Sequence, residues 1–238
     1  MYGSGSMNRL IASLGLIFSV LLIQGCASKP PAWNGSIEDE PPLSLDDANQ
    51  AGNNWVWLDE TSDWFYRDGE PVKSDNMNWA FEGKGIVFRF LAPQQLNLHS
   101  GKPHTLYLRV FQLSDLKVFN DMKKSQAGIR ELLTATDIDP TFLATNEYVI
   151  SPSEVLKSTV ERMQDTRYVA IVAGYYQLAP SEVVKVFPVP IVANRVGHTE
   201  WTAKLNPFAD EPPPEVARIK AWVDLGVTKL SRLQMLAE

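Results

Sequence analysis

Strand-forming segments follow one another through the middle of this 238-residue chain and set its fold class. Residues 85–92 and 105–113 are rich in β-branched and aromatic side chains, and the second segment alternates leucine and valine with larger or charged residues. Further strands are predicted at 147–151, 155–160, 167–178 and 182–191. The pattern predicts a mainly β protein whose sandwich domain covers residues 85–206.

Two of these segments also indicate their positions in a sheet. The run from Tyr168 to Tyr176 is apolar enough to be a central strand that is buried on both faces. Pro188 and Pro190 cannot donate ladder hydrogen bonds, so their strand is predicted at an edge. Between the second and third strands, residues 114–135 have helical spacing, with an interruption expected at Gly128.

The N-terminal region is typical of an export signal that ends at a cysteine. Residues 10–23 are fourteen uncharged residues preceded by Arg9, too short to span a bilayer, which takes about 20 apolar residues. Met1 and Met7 are both candidate initiators, and Met7 is the more natural one. The run then ends in Leu-Ile-Gln-Gly before Cys26, which resembles a bacterial lipobox.

The lipobox resemblance implies that residues 1–25 are removed and that Cys26 is the lipid-attachment residue at the mature N-terminus. Cys26 is the sole cysteine of the chain, so intramolecular disulfides are excluded. Ala27 follows in place of the aspartate that retains lipoproteins at the inner membrane. By resemblance to lipoprotein sorting, the protein is expected on the outer membrane, with its body in the periplasm. An ordinary cleaved signal with an incidental cysteine is the alternative.

The segments on either side of the sandwich have different compositions. Residues 26–54 carry four prolines and five acids with few apolar residues, which predicts an unpacked tether with a reach of about 80 Å when extended and roughly 30 Å as a coil. An acidic docking segment is the alternative. Residues 207–238 contain apolar residues three and four apart, which predicts a C-terminal amphipathic helix, weakened at Gly226.

Residues 55–84 form an aromatic-rich extension, in which residues 64–72 are a candidate hairpin. The rings are predicted to plug one end of a β-core. Alternatively, they stack on sugars, which would make the protein a peptidoglycan- or glycan-binding lipoprotein. The rings are those of Trp55, Trp57, Trp64, Phe65, Tyr66, Trp79 and Phe81.

No residue pattern in the chain indicates catalysis, a metal or a cofactor. The net charge of −6 disfavours nucleic-acid binding. His99, His104 and His198 form no zinc motif, and Asp137 and Asp139 are assigned to a solvated loop rather than to a carboxylate pair. We therefore predict no prosthetic group other than the lipid on Cys26, while a periplasmic hydrolase with dispersed catalytic residues stays open as an alternative from the residues alone.

Two motifs in the sandwich region resemble the TssJ family (SciN/VasD-like) of type VI secretion lipoproteins. The first covers residues 96–98, 101–106, 110–115 and 119–120, and the second is Thr166 to Leu178 with its apolar run and aromatic pair. Residues 151–152 fit the segment where the family has Pro-Gly, although Ser153 replaces the glycine. The likeness extends over residues 79–192, behind the lipobox.

The TssJ resemblance implies a transthyretin-like antiparallel β-sandwich with a helical insert, in a protein that is not an enzyme. It also implies an outer-membrane anchor that binds the periplasmic C-terminal domain of the inner-membrane subunit TssM, in multiple copies per complex. The family's contact is the loop between the first two strands, or a plain connecting turn if Leu96 and Leu98 are tucked under the sheet. By position, that loop is Gln94, Gln95, Leu96, Asn97, Leu98, His99 and Ser100.

Overall fold

The computed structural model describes residues 33–41, 55–66, 77–192 and 214–238, and these form two packed β-sheets with short helices. The strands are β1 (Trp55–Leu58), β2 (Asp63–Tyr66), β3 (Glu82–Leu91), β4 (Leu106–Leu113), β5 (Phe142–Ile150), β6 (Val155–Arg162), β7 (Tyr168–Ala173), β8 (Val184–Pro188), β9 (Ile191–Val192), β10 (Glu215–Val216), β11 (Ile219–Leu225) and β12 (Leu230–Ala237). The helices are α1 (Lys117–Met122), α2 (Gln126–Thr134) and α3 (Pro180–Val183).

The larger sheet, sheet A, has the order β2-β1-β12-β11-β3-β6, and sheet B has the order β5-β4-β7-β8. All neighbouring strands in the two sheets are antiparallel except β11 and β3, which are parallel. β9 and β10 form a separate two-stranded pair. The mainly β sandwich predicted from the sequence is therefore confirmed, with one parallel pair that the resemblance did not imply.

Sheet B shows the positions that the apolar runs and prolines predicted. β7 lies between β4 and β8, and five of its six residues are buried, as expected of a central strand. β8, which contains Pro188, is at the sheet edge. The predicted strand at 182–191 begins later, because Pro180 starts the single turn α3 before it.

The helical insert packs on sheet B, so that β4 is buried on both faces. Phe119 of α1 and Leu132 of α2 are fully buried in the same core as β4. The break between the helices lies at 123–125, where the Ser125 hydroxyl caps α2, and not at Gly128. Gly128 is needed for a different reason: a Cβ there would lie 2.0 Å from the Met122 carbonyl oxygen.

The C-terminal amphipathic helix predicted for residues 207–238 is wrong in the described part, where β11 and β12 form a hairpin. Ile219 and Val223 are four residues apart, which fits a helix face but also one face of a strand, since four is a multiple of two. Ala221, between them, is equally buried. Gly226, treated as a weak point in a helix, lies in the turn of the hairpin.

The aromatic extension and the C-terminal segment are parts of sheet A rather than appendages, and together they supply four of its six strands. β1 pairs with β2 and β12, and β11 pairs with β3. The observed aromatic hairpin turns at 59–62, and residues 67–72 of the hairpin predicted at 64–72 lie outside the described residues. The predicted boundaries at residues 84 and 206 therefore do not separate packing units.

A buried arginine joins these added strands to the middle of the chain. The Arg162 guanidinium, on β6, donates to the carbonyl oxygens of Val216 (3.0 Å), Ala217 (2.7 Å) and Ala80 (3.1 Å). Burial lowers the pKa of Arg162 to about 10, which leaves it charged at neutral pH. A charged donor that satisfies three backbone acceptors makes this contact a major stabilising feature.

Residues 33–41 do not form the unpacked tether predicted for residues 26–54. We call them the strap, because they cross the outer face of sheet A. Ile37 is buried there against Val87, Trp222 and Leu236, which form an apolar cluster separate from the main core. Because these three side chains lie on the strand face opposite the sandwich interior, the strap covers apolar surface that would otherwise meet water.

Polar contacts fix the strap along its length. The Trp33 indole donates to the Lys84 carbonyl oxygen at 2.7 Å, and the Trp222 indole donates to that of Glu38 at 3.1 Å. Two ion pairs also hold the strap, Lys220–Glu38 (2.9 Å) and Lys157–Asp39 (2.7 Å). Further hydrogen bonds run from the Thr159 hydroxyl to the Gly35 carbonyl oxygen and from the Lys157 ammonium to that of Ile37. Two acids of the strap are therefore paired with lysines of sheet A, and the alternative of an acidic docking segment stays a prediction.

Candidate functional site

Four connections lie together at one end of the sandwich, which we call the loop end. They are the β3–β4 loop (92–105), the β5–β6 turn (151–154), the segment after β7 (174–179) and the β11–β12 turn (226–229). Strand register brings them together, since Leu91 pairs with Val155, Leu108 with Ala173 and Leu225 with Leu230. Loops held on a rigid sandwich are the usual location of binding function.

The β3–β4 loop is anchored from inside by Leu96 and Asn97. Leu96 is fully buried, and its carbonyl oxygen accepts a bond from the His104 amide at 3.0 Å. The Asn97 side chain, also buried, donates to the Thr105 carbonyl oxygen and accepts from the Tyr176 amide, each at 3.0 Å. These residues hold the loop in one conformation and cannot themselves face a partner.

The seven residues predicted for the contact thus divide into three groups by exposure. Gln94, Gln95, His99 and Ser100 are exposed, Leu98 is half-buried, and Leu96 and Asn97 are internal. Leu96 is tucked under the sheet, as expected of a plain connecting turn. The four exposed residues of the loop remain available for contact with a partner.

Left-handed backbone conformations are concentrated in this region. Of five non-glycine residues with positive φ among those described, Asn97 (48°), Ser100 (51°) and Ser153 (65°) belong to the loop end. Ser100 and Gly101 form the tip of a tight turn closed by paired backbone hydrogen bonds between His99 and Lys102, at 2.9 and 3.0 Å. Such conformations cost free energy and persist where surrounding contacts impose them, often at functional sites.

An aromatic cluster covers the outside of the loop. The His99 ring stacks on Tyr176 with centroids 4.1 Å apart and planes 14° apart, and the His104 ring meets the same tyrosine edge-on at 5.1 Å. Tyr176 remains 54% exposed. A large ring that is held rigidly and still faces solvent is the kind of residue that anchors protein–protein contacts.

The β11–β12 turn is attached directly to this loop. The Leu98 amide donates to the Val227 carbonyl oxygen at 3.1 Å, and the Tyr175 hydroxyl donates to that of Gly226 at 3.2 Å. Burial raises the pKa of Tyr175 well above its usual range, so the hydroxyl keeps its proton as a donor at neutral pH. The C-terminal hairpin therefore helps to position the loop.

Exposed apolar side chains are enriched at the loop end, where sequence reasoning did not place them. Val155, Tyr176 and Val227 belong to this end, and Val149 lies one residue before the end of β5. The sequence signal for an exposed ring at this end was the aromatic pair Tyr175-Tyr176 after Gly174. Adjacent side chains of an extended segment point to opposite sides, so the two rings cannot both face the core. Val227 was missed because it was assigned to a helix.

Two kinds of feature, a metal-binding cluster and a membrane-spanning helix, do not occur among the described residues. Among residues 33–41, 55–66, 77–192 and 214–238, no group of three or more histidine, cysteine, aspartate or glutamate side chains could hold a metal ion. Within the same ranges, none of the helices has the length and apolar character needed to cross a membrane. Cys26 and His198 lie outside the described residues.

The aromatic extension contains both packed and exposed rings, and Phe65 and Phe81 are 43% and 52% exposed. Trp55 and Trp57 are buried, and Trp57 packs edge-on against Trp64 and Phe187. The Trp64 indole also donates to the Pro188 carbonyl oxygen at 2.7 Å. These three tryptophan rings pack in the sandwich, as the core interpretation predicted, and the glycan-binding alternative stays a prediction for the exposed rings.

The described residues form a β-sandwich with four connections gathered at one end, and the N-terminal sequence resembles a lipobox. The family profile described as "Type VI secretion lipoprotein, VasD, EvfM, TssJ" matches residues 84–206, and the chain belongs to this family. The matched part contains β3 to β9, whereas β1, β2 and β10–β12 lie outside it. The family is one of structural, membrane-bound lipoproteins and is not known for an enzymatic activity.

Solved structures show similar folds. The chain is similar to the type VI lipoprotein TssJ1 of Pseudomonas aeruginosa, with 17% identity, a TM-score of 0.42, and coverage of 67% of this chain and 96% of that one. It is also similar to Serratia marcescens Lip, described as a membrane-bound component of the type VI secretion system, with 20% identity, a TM-score of 0.41 and coverage of 61% and 94%. No match was found among curated proteins.

Proposed function

We propose that this lipoprotein is attached to the outer membrane through Cys26, faces the periplasm, and holds the type VI secretion complex by binding the periplasmic C-terminal domain of the subunit TssM. The contact surface is the loop end, including Gln94, Gln95, His99 and Ser100 of the predicted loop. Tyr176 and Val227 extend this surface. Binding requires no cofactor, and the lipid on Cys26 is the only attached group.

The observation that carries the proposal is the exposed, rigidly held ring of Tyr176 beside an internally anchored loop. Its neighbours are fixed by the Asn97 side chain and by the turn at Val227, so little conformational entropy is lost when a partner binds. Several copies in one complex would add avidity to a contact that is individually modest.

Removal of the Tyr176 ring should weaken TssM binding. Truncation of an aromatic hot spot costs about 2 kcal/mol or more, which corresponds to about a 30-fold increase in Kd for Tyr176→Ala. Phe81→Ala is the matched control, since Phe81 is 52% exposed and precedes β3 at the opposite end. Isothermal titration with the purified partner domain measures both. Equal Kd values for Tyr176→Ala and wild type, with the fold intact, would place the contact elsewhere.

A further inference from the structure

The strap has a defined direction along sheet A. Its first residue, Trp33, contacts Lys84 near the start of β3, whereas Asp39 pairs with Lys157, which lies opposite Arg89 near the end of β3. The loop end begins just beyond, at Ala92. The chain therefore meets the sandwich at the end opposite the loops and runs toward them.

Trp33 is held firmly at that far end. Its ring lies under two cations, with the Arg218 guanidinium carbon 5.4 Å and the Lys220 ammonium nitrogen 6.0 Å from the ring centroid. Lys84, whose carbonyl oxygen accepts the indole N–H, also donates from its ammonium to the Asn34 carbonyl oxygen at 3.3 Å. The docked strap thus begins at a fixed point on the body.

The chain between this point and the proposed lipid is short. Six residues separate Cys26 from Trp33, so their Cα atoms are at most about 25 Å apart whatever the conformation. With the strap undocked, the first strand residue after Cys26 would be Trp55, and the reach would be on the order of 80 Å. Docking of the strap therefore shortens the maximum distance between Cys26 and the first packed residue about threefold.

We propose that the end of the sandwich around Trp33, Lys84 and Arg218 is the membrane-facing surface of the protein, and that its partner is the periplasmic leaflet of the outer membrane. The eight residue steps of extended chain from Lys84 to Ala92 span about 26 Å. In this orientation the loop end therefore lies farther from the membrane than the Trp33 end by about that distance. The inference rests on the proposed attachment at Cys26. It deepens that function by giving the anchored body a fixed orientation.

Energy transfer in vesicles tests this orientation. The lipidated protein is reconstituted in phospholipid vesicles that contain an acceptor-labelled lipid, with a donor dye on Phe81→Cys or on Gln95→Cys. Both positions are exposed, and Cys26 is blocked by acylation in the proposed form. The donor at 81 should be quenched strongly and the donor at 95 weakly, corresponding to a difference in height of 20 Å or more.

A strap-release variant, Trp33→Ala with Ile37→Ser, tests whether the docked strap, rather than another contact with the membrane, sets the orientation of the protein. Both positions lie outside the strands, so far-ultraviolet circular dichroism should show an unchanged strand content. The difference between the two donors should collapse in this variant. If the difference persists in a folded variant, the strap does not set the orientation and the inference is overturned.

The remaining outcomes distinguish the orientation from the anchor. If the protein binds the vesicles and both donors are quenched equally, the orientation is wrong while the anchor stands. If the protein does not bind vesicles and carries no acyl chains by mass spectrometry, the attachment at Cys26 is wrong, and the orientation fails with it.

Discussion

Cys26→Ser is expected to remove the protein from the outer-membrane fraction. Burial of an acyl chain contributes about 0.8 kcal/mol per CH₂ group, and stable anchoring needs two chains or a second signal. Because Cys26 is the sole cysteine, the variant has no other thiol to acylate. Sucrose-gradient fractionation and incorporation of labelled palmitate measure the effect.

A second variant shows that loss of the lipid is responsible for this result. Residues 1–26 are replaced by a secretory signal that is cleaved before residue 27, which gives the same mature body without an acylated residue. This protein is expected in the soluble periplasmic fraction. Outer-membrane fractionation of Cys26→Ser that matches the wild type would contradict attachment through this residue.

Arg162→Ala is expected to destabilise the fold by about 3–5 kcal/mol. The substitution leaves three backbone carbonyl oxygens without their donor and opens a cavity where the guanidinium lies. For a domain of this size, such a loss corresponds to a decrease in Tm of roughly 10 °C. Thermal unfolding followed by circular dichroism is the measurement.

Arg232→Ala is the matched control for this arginine. The Arg232 side chain is 53% exposed and pairs with Asp224 on the surface of the C-terminal hairpin, so its loss should cost less than about 1 kcal/mol. Arg162→Lys, which keeps the charge but cannot reach all three acceptors, should fall between the two. Equal Tm decreases for the alanine variants would show that Arg162 is not the contact that joins the added strands to the chain.

The central strands could be predicted because their sequences fit only one periodicity. β7 is an uninterrupted run of β-branched, aromatic and small apolar residues, β4 alternates leucine and valine with larger or charged residues, and Pro188 of β8 favours an edge position. The C-terminal segment could not be predicted in this way, because the spacing of its apolar residues fits both a helix face and a strand face. These residues are Ile219, Val223, Leu233 and Ala237. Tertiary pairing of β11 with β3 decides between the two, and that contact is between residues far apart in sequence.

The strap could not be predicted from composition for a related reason. Its proline and acid content is typical of an unpacked linker, and only Trp33 and Ile37 are large apolar residues. Their burial depends on Val87, Trp222 and Leu236 standing side by side on three strands. The acids also have specific partners, since Lys157 lowers the pKa of Asp39 through a hydrogen bond and its charge.

The candidate site is a prediction from sequence position, and the structure adds which of its residues are exposed. Sequence position placed Gln94 to Ser100 at the end of a strand, and these residues do lie at the loop end. Which of them face outward follows from the hydrogen bonds of Asn97, and the contribution of Tyr176 and Val227 follows from strand register. Both properties depend on contacts between residues that are far apart in the sequence, so local sequence patterns do not predict them.

Photo-crosslinking in cells tests most directly whether the loop end binds the TssM subunit. A photoreactive amino acid is placed at Gln95, which is exposed in the β3–β4 loop, or at Arg130, which is exposed on α2. Irradiation of cells that assemble the secretion complex should yield a crosslink to TssM from position 95 and none from position 130. A crosslink to TssM from position 130 alone, with the position-95 protein stable and membrane-bound, would contradict the account.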